Sequence, residues 1–216
     1  MKFLALDSSS PVASVAVVSF HNGAAKALFE QNTPHARSDS SALFAALEAA
    51  VRECGTPDAV AVGLGPGSYN GLRAGIAAAR GFATALDRPL HAIPSPLALP
   101  GPDSGFWALG DARGGQYWIA CVGEGAFLEE PFLIAQADAP SHLARRPGLP
   151  ILSFGPISGV EGVEHACPDA ARLAMLAEKK DPSYLVPLTP EPLYLKPPHI
   201  TAPKEARVPK ASASTR

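Results

Sequence analysis

The sequence is poorest in the groups on which phosphate, metal and thiol chemistry depend. Between Lys26 and Lys179 there is no lysine at all. A glycine turn inside that span therefore lacks the ammonium that a P-loop sets against terminal phosphates. Cys54, Cys121 and Cys167 are odd in number and widely spaced, and no Cys-x-x-Cys pair occurs. That excludes a disulfide framework and a cysteine zinc site, and the expectation is three buried free thiols. No apolar run approaches the roughly 20 residues of a membrane span. The N-terminus also lacks the charged-then-apolar pattern of a signal peptide, because the apolar run at 3–6 stops at Asp7. A cytoplasmic protein with no membrane contact is expected.

Hydrophobic residues make up 47% of the 216 and charged residues 18%, a globular composition. The net charge of −2 is unevenly spread. Residues 101–195 carry six basic and twelve acidic groups, whereas residues 196–216 carry five basic and one acidic. The body thus has no basic footprint for nucleic acid. The tail, with four prolines and no apolar period, reads as a flexible extension.

Alternation and turn residues predict a start of three antiparallel strands: Lys2 onward, Val12–Val18, and Ala24–Gln31 after an Asn22-Gly23 hairpin turn. A Rossmann unit would pass from its first strand directly into a helix. A helix follows from N-cap candidates at Ser38, Asp39 and Ser40 to Cys54, where Gly55 and Pro57 stop it. Its polar positions, Ser41, Glu48 and Arg52, form a narrow stripe, so Phe44, Ala45 and Ala49 widen the apolar face beyond what one sheet buries. Next come a strand at 58–63, a glycine turn, and a helix from about Asn70 to Leu86 that holds Gly71, Gly75 and Gly81. Each interior glycine costs about 1 kcal/mol against alanine, which implies a close backbone approach by a neighbouring helix or strand. The segment 94–105, with four prolines and two glycines, reads as a domain junction. Beyond it the pattern predicts a hairpin over 106–122, strands at 127–134 and 151–154, and a short helix at 170–180. The organisation expected is therefore an N-terminal lobe of residues 1–100, a smaller lobe of residues 101–195 on the same plan, and the tail.

Four clusters are candidates for chemistry. In Gly63–Gly75 neither Gly-x-Gly-x-x-Gly nor the P-loop spacing fits. What remains is either an anion-tolerant helix start or a tight turn with Ser68 as the cap. Asp7, followed by Ser8, Ser9 and Ser10, either holds magnesium through water with phosphate on the serine amides or forms an Asx turn. His35 and Asp39 stand four apart, but Pro34 and the single histidine argue against a metal pair, and a solvated or capping His35 is expected. Asp111 and Arg113 are either an acid with an anion-binding arginine or a turn salt bridge. No Gly-x-Ser-x-Gly nucleophile turn occurs, and no complete catalytic set is found.

Taken in order, LALDSSSPVASVAVV, HARSDSSALFAALEAAV, GLGPGSYNGLRAGIAAARGFA, DARGGQYWIACV and PEPLYLK resemble the TsaB (YeaZ) family over roughly residues 1–196. The block Gly65, Pro66, Gly67, Ser68, Gly71, Arg73, Gly75 carries most of the resemblance. Tyr69 and Asn70 stand where the family more often has Phe and Thr. The resemblance implies an α/β, actin-like (ASKHA, ribonuclease H-like) fold of two lobes with mixed sheets and flanking helices. It implies a non-catalytic scaffold for the catalytic paralogue TsaD, alongside the ATPase TsaE, in threonylcarbamoyl transfer to adenosine 37 of tRNAs reading codons that begin with A. ATP and magnesium belong to that complex, with no cofactor or metal assigned to this chain, and tRNA is met only through the complex. The two N-lobe helices would contact TsaD, or a second copy when TsaD is absent, through Phe44, Leu47, Val51, Arg73, Ile76 and Arg80. Asp7, Ser8, Ser68 and Asp111 would be remnants of a nucleotide site. The catalytic paralogue carries His-x-x-x-His at the start of its first helix; the matching pair here is His35 and Asp39. The alternatives to this reading are a stand-alone actin-like phosphotransferase and a metal-dependent peptidase of the glycoprotease type.

Overall fold

In the computed structural model, residues 1–34, 41–179 and 190–196 are described. The first five strands, β1 (Lys2–Asp7), β2 (Val12–His21), β3 (Ala24–Pro34), β4 (Ala59–Gly63) and β5 (Leu90–Ile93), form one sheet in the order 3-2-1-4-5. Strands β1–β3 are antiparallel, whereas β4 pairs parallel to β1 and β5 parallel to β4. Between them run helices α1 (Ser41–Cys54) and α2 (Tyr69–Leu86).

A second sheet repeats this plan. Strands β6 (Phe106–Asp111), β7 (Gln116–Gly123), β8 (Ala126–Ala135), β9 (Ile151–Ser153) and β10 (Val163–His165) lie in the order 10-9-6-7-8. Renumbered within the lobe, that is again 3-2-1-4-5, with β9 parallel to β6 and β10 parallel to β9. The reduction lies in the helices. Only α3 (Ala139–Leu143) stands between β8 and β9, and a loop replaces the second crossover helix. Two lobes with mixed sheets and flanking helices are the actin-like architecture expected above.

Apart from the exposed edge strand β3, the first sheet is buried on both faces, which is why β1, β2, β4 and β5 read as nearly unbroken apolar runs. Leu4, Leu6, Val15, Val17, Val60 and Val62 face α1 and α2. Phe3, Ala5, Ala16, Val18, Ala59 and Ala61 face the other way, into a core shared with Phe106, Ala108, Trp118 and Ala120 of the second sheet. Helix α4 (Ala170–Lys179) fills that core through Ala170, Leu173, Ala174 and Ala177. Asp169 caps it, its carboxylate accepting from the Ala171 amide at 2.7 Å, and Ser14 of β2 accepts from the Ala170 amide at 2.9 Å. So α4, which follows the second sheet in sequence, packs against the first.

Segment 94–105 is not a solvated hinge. A 3-10 turn at Ser95–Ala98 places Ser95, Leu97, Ala98 and Leu99 in the interior. Strand β5, with its four buried residues, is too short to show a period, and was not anticipated. Helix α1 ends on Gly55 (φ +69°), whose N–H reaches the Val51 carbonyl at 2.8 Å, the left-handed cap that glycine supplies most cheaply. Its N-cap candidates Ser38, Asp39 and Ser40 lie outside the described residues. The tail beyond Lys196 lies outside them too.

Candidate functional site

Asp7 ends β1 and is buried. Its carboxylate is engaged by the chain itself. One oxygen accepts from the Ser9 amide at 2.8 Å and the Ser9 hydroxyl at 2.6 Å, and the other accepts from the Ser95 hydroxyl at 2.6 Å. Ser95 in turn accepts from the Gly65 amide at 2.9 Å, tying the aspartate to the glycine turn. The Asx turn is thus what the Asp7–Ser10 segment forms, and these charge-assisted bonds are the stronger kind.

The turn lies directly on the start of α2. Ser8 donates its hydroxyl to the Gly71 carbonyl at 2.8 Å, and the Ser68 amide donates to the Ser9 carbonyl at 2.8 Å. A Cβ at Gly67 would strike the Ser9 carbonyl, one at Gly71 the Ser8 carbonyl, one at Gly75 the Ser8 hydroxyl, and one at Gly63 the Asp7 carboxylate. The close backbone approach inferred from the helical glycines is therefore made by the chain's own β1–β2 turn. Gly81 alone among the α2 glycines faces open space. Ser68 is the N-cap, in extended geometry, with its hydroxyl accepting from the Gly71 amide at 3.4 Å.

Asp7, Ser8 and Ser68 thus lie around the contact of the β1–β2 turn with α2, Asp7 bonded to Ser9 and Ser95 and the Ser8 and Ser68 hydroxyls to Gly71. A magnesium nucleotide seated here would need the Asp7 oxygens and the Ser9 amide, which the turn uses internally. The residues do not fit a phosphate group. Asp111 belongs to the other lobe. It accepts from the Arg113 amide at 2.8 Å in a turn where Arg113 takes φ +58°, so the contact between the two residues is an Asx turn and not a side-chain salt bridge. Among the described residues no group of three or more His, Cys, Asp or Glu is placed to hold a metal. His35 and Asp39 lie outside those residues. Of the thiols only Cys121 is fully buried; Cys54 and Cys167 are half-buried. Burial pushes the Cys54 and Cys121 thiols up, against nucleophilic use. Ser95 was missed by sequence reasoning, because only the fold brings residue 95 back to residue 7.

The second feature is a groove between α1 and α2 of about 500 Å³, lined by Phe44, Leu47, Glu48, Val51, Arg52 and Phe82. Phe44 is 52% exposed, an unusual position for that side chain on a helix whose other apolar face is covered. Two of the proposed interface residues point elsewhere. Leu47 is 1% and Ile76 5% exposed, both in the core that α1 and α2 make with the first sheet. Each lies on the sheet-facing stripe of its own helix, so Leu47 only floors the groove. Val51 is half-buried, and Arg73 and Arg80 are exposed. Arg73 lies over the Tyr69 ring at 5.3 Å and donates to its hydroxyl at 2.8 Å.

Comparison with known proteins now bears on this geometry. Two uncharacterized proteins, of Mycobacterium tuberculosis (H37Rv) and Mycobacterium bovis, are each 32% identical to this chain over 192 residues, covering 86% of it and 89% of theirs. The model of the family described as TsaD, tRNA N6-adenosine threonylcarbamoyltransferase, matches residues 31–100, the stretch that holds α1, the glycine turn and α2. The solved structure of YeaZ from Pseudomonas aeruginosa superposes with a TM-score of 0.63 at 23% identity, covering 82% of this chain and 90% of that one. A further P. aeruginosa structure, described as similar to peptidase YEAZ, gives 0.65 at 23% identity over 90% of this chain and 99% of that chain.

The chain belongs to one family with these mycobacterial proteins and has the fold of YeaZ.

The glycine block is explained by its contact with the Ser8–Ser9 turn, and the groove beside Phe44 is an open, mostly apolar feature of the N-lobe helices. Among the described residues no helix is long and apolar enough to cross a membrane.

Proposed function

We propose that this chain is the TsaB-type subunit of the machinery that makes threonylcarbamoyladenosine at position 37 of tRNAs reading codons that begin with A. It acts without a catalytic site of its own, by docking onto a TsaD-type transferase through the open face of α1 and α2. TsaE joins the same assembly, tRNA is met only within it, and the chain works in the cytoplasm.

The observation that carries this reading is the α1–α2 groove, in which a large aromatic side chain and about 500 Å³ of mostly apolar space lie open on the outer face of the two helices. The same face serves a second copy when the partner is absent. The occupied Asp7 turn supports a partner over a stand-alone phosphotransferase, because its hydrogen bonds would have to break before phosphate entered.

The test is reconstitution with the cognate TsaD-type protein. Binding measured by calorimetry should be lost on Phe44→Glu while the circular dichroism spectrum and melting temperature stay as in the parent chain. If the two proteins do not associate, or if modification of tRNA proceeds equally well without this chain, the reading is wrong.

A further inference from the structure

Residues 190–196 return from the far end of the chain to the place where the two lobes meet, and each end of the segment is held by a different lobe. The Leu193 amide donates to the Leu64 carbonyl at 2.8 Å, immediately after β4. The Tyr194 ring stacks on Tyr69, with centroids 5.4 Å apart and planes 26° from parallel, at the first turn of α2. Leu195 packs against the core that the two sheets share. Lys196 then crosses to the β6–β7 turn of the second lobe, where its ammonium donates to the carbonyls of Ala112 at 3.1 Å and Arg113 at 2.8 Å. Both lobes are gripped just beyond the carboxyl ends of parallel strands, β4 in one and β6 in the other. In open α/β sheets that is the edge along which ligands enter.

We propose that residues 190–196 are a clasp that joins the two lobes across the carboxyl ends of β4 and β6, so that these two strand ends separate only when Tyr194 and Lys196 let go. The physical basis is a division of labour. The shared core around α4 holds the sheets together from behind, and the clasp holds them at the mouth. Its contacts are of the releasable kind. Tyr194 is 43% and Tyr69 41% exposed, and the lysine bonds end on backbone carbonyls of a turn whose residues 113–115 all take positive φ. Such contacts open locally without unfolding the sheets behind them. Burial and the neighbouring Tyr69 push the Tyr194 hydroxyl above its ordinary value, so it remains a neutral stacking partner through the physiological range.

The clasp predicts coupling between its ends, which residue-resolved hydrogen exchange of the full chain reads directly. Tyr194→Ala removes the α2 end and should speed exchange at the opposite end, the Ala112 amide, by about fivefold, the factor that one lost contact of this size gives. Lys196→Met keeps the aliphatic stem but removes the donor, and should speed exchange of the Leu193 and Leu72 amides by a similar factor. The Val60 amide, bonded to the Pro89 carbonyl at 2.9 Å behind the clasp, should be unchanged and reports that the sheet is intact. Acceleration confined to the mutated end, or none at either end, overturns the proposal. If Tyr194→Ala also speeds Val60, Lys196→Met decides. Faster Leu193 with unchanged Val60 upholds the clasp, and unchanged Leu193 removes it.

Discussion

Gly71→Ala is the sharpest test of why α2 carries glycine where it does. In a helix interior the change should help by about 1 kcal/mol, because alanine loses less backbone entropy. Here the added Cβ would meet the Ser8 carbonyl, a backbone atom with no rotamer in which to retreat. The turn can move only by giving up the bonds that pin it, the Ser8 hydroxyl to Gly71 and the Ser68 amide to Ser9, at about 1 kcal/mol each. Overpacking in the remaining space adds about 1 kcal/mol. Offsetting the propensity gain leaves a net loss of about 2 kcal/mol. Gly81→Ala is the internal control, since no atom lies within 4 Å of its Cβ and the propensity gain of about 1 kcal/mol should survive intact. Urea denaturation of the two variants, with midpoints compared at constant slope, should place them on opposite sides of the parent chain. If Gly71→Ala is as stable as Gly81→Ala, the argument for a backbone contact in α2 is refuted.

Three further outcomes follow from the same packing. Leu47→Ala should cost about 2–5 kcal/mol, as core leucine truncations do, whereas Phe44→Ala should stay within about 0.5 kcal/mol of the parent chain in thermal melts. Ser95→Ala removes a donor to the Asp7 carboxylate and the acceptor of the Gly65 amide. It should destabilise by about 1.5–3 kcal/mol, seen as a lower urea midpoint. Cys121, buried and with its thiol pushed up, should resist iodoacetamide at pH 8 until the protein unfolds, as followed by peptide mass spectrometry. Because the folded state holds that proton more tightly, its contribution to stability is full at low pH. It falls as pH rises from the unfolded thiol value of about 8.5 towards the raised folded value, and a stability that rises over this window would contradict the burial argument.

Much of the fold was legible in the chain because its signals are local. The runs from Lys2 to Asp7 and Val12–Val18, the Asn22-Gly23 turn and the Gly55 stop each state their geometry within a few residues, and the structure has them there, with the second strand running on to His21. The shared plan of the two halves was legible in outline, through hairpins at the start of each. Strand β5 and the buried turn at 95–98 were not, because a four-residue apolar run has no period and Pro96 lies in the interior of a segment that runs from one sheet to the other.

The site divides differently. Sequence by itself determined that the glycine turn lacks a phosphate-binding lysine, that Ser68 is placed to cap α2, and that α1 has more apolar face than one sheet covers. It also pointed to a close backbone approach at α2 from its three glycines, which holds for Gly71 and Gly75 and not for Gly81. Only the tertiary structure decided which backbone that is. The partner of Gly67, Gly71 and Gly75 is the turn at Ser8–Ser9, some sixty residues earlier in the chain. The same holds for Asp7 and Ser95, 88 residues apart. It also decided that Leu47 and Ile76 face inward while Phe44 faces out. Periodicity counts the apolar positions on a helix, but which of them meets the sheet depends on how the helix is rotated against it, and that rotation is set by packing between segments distant in sequence.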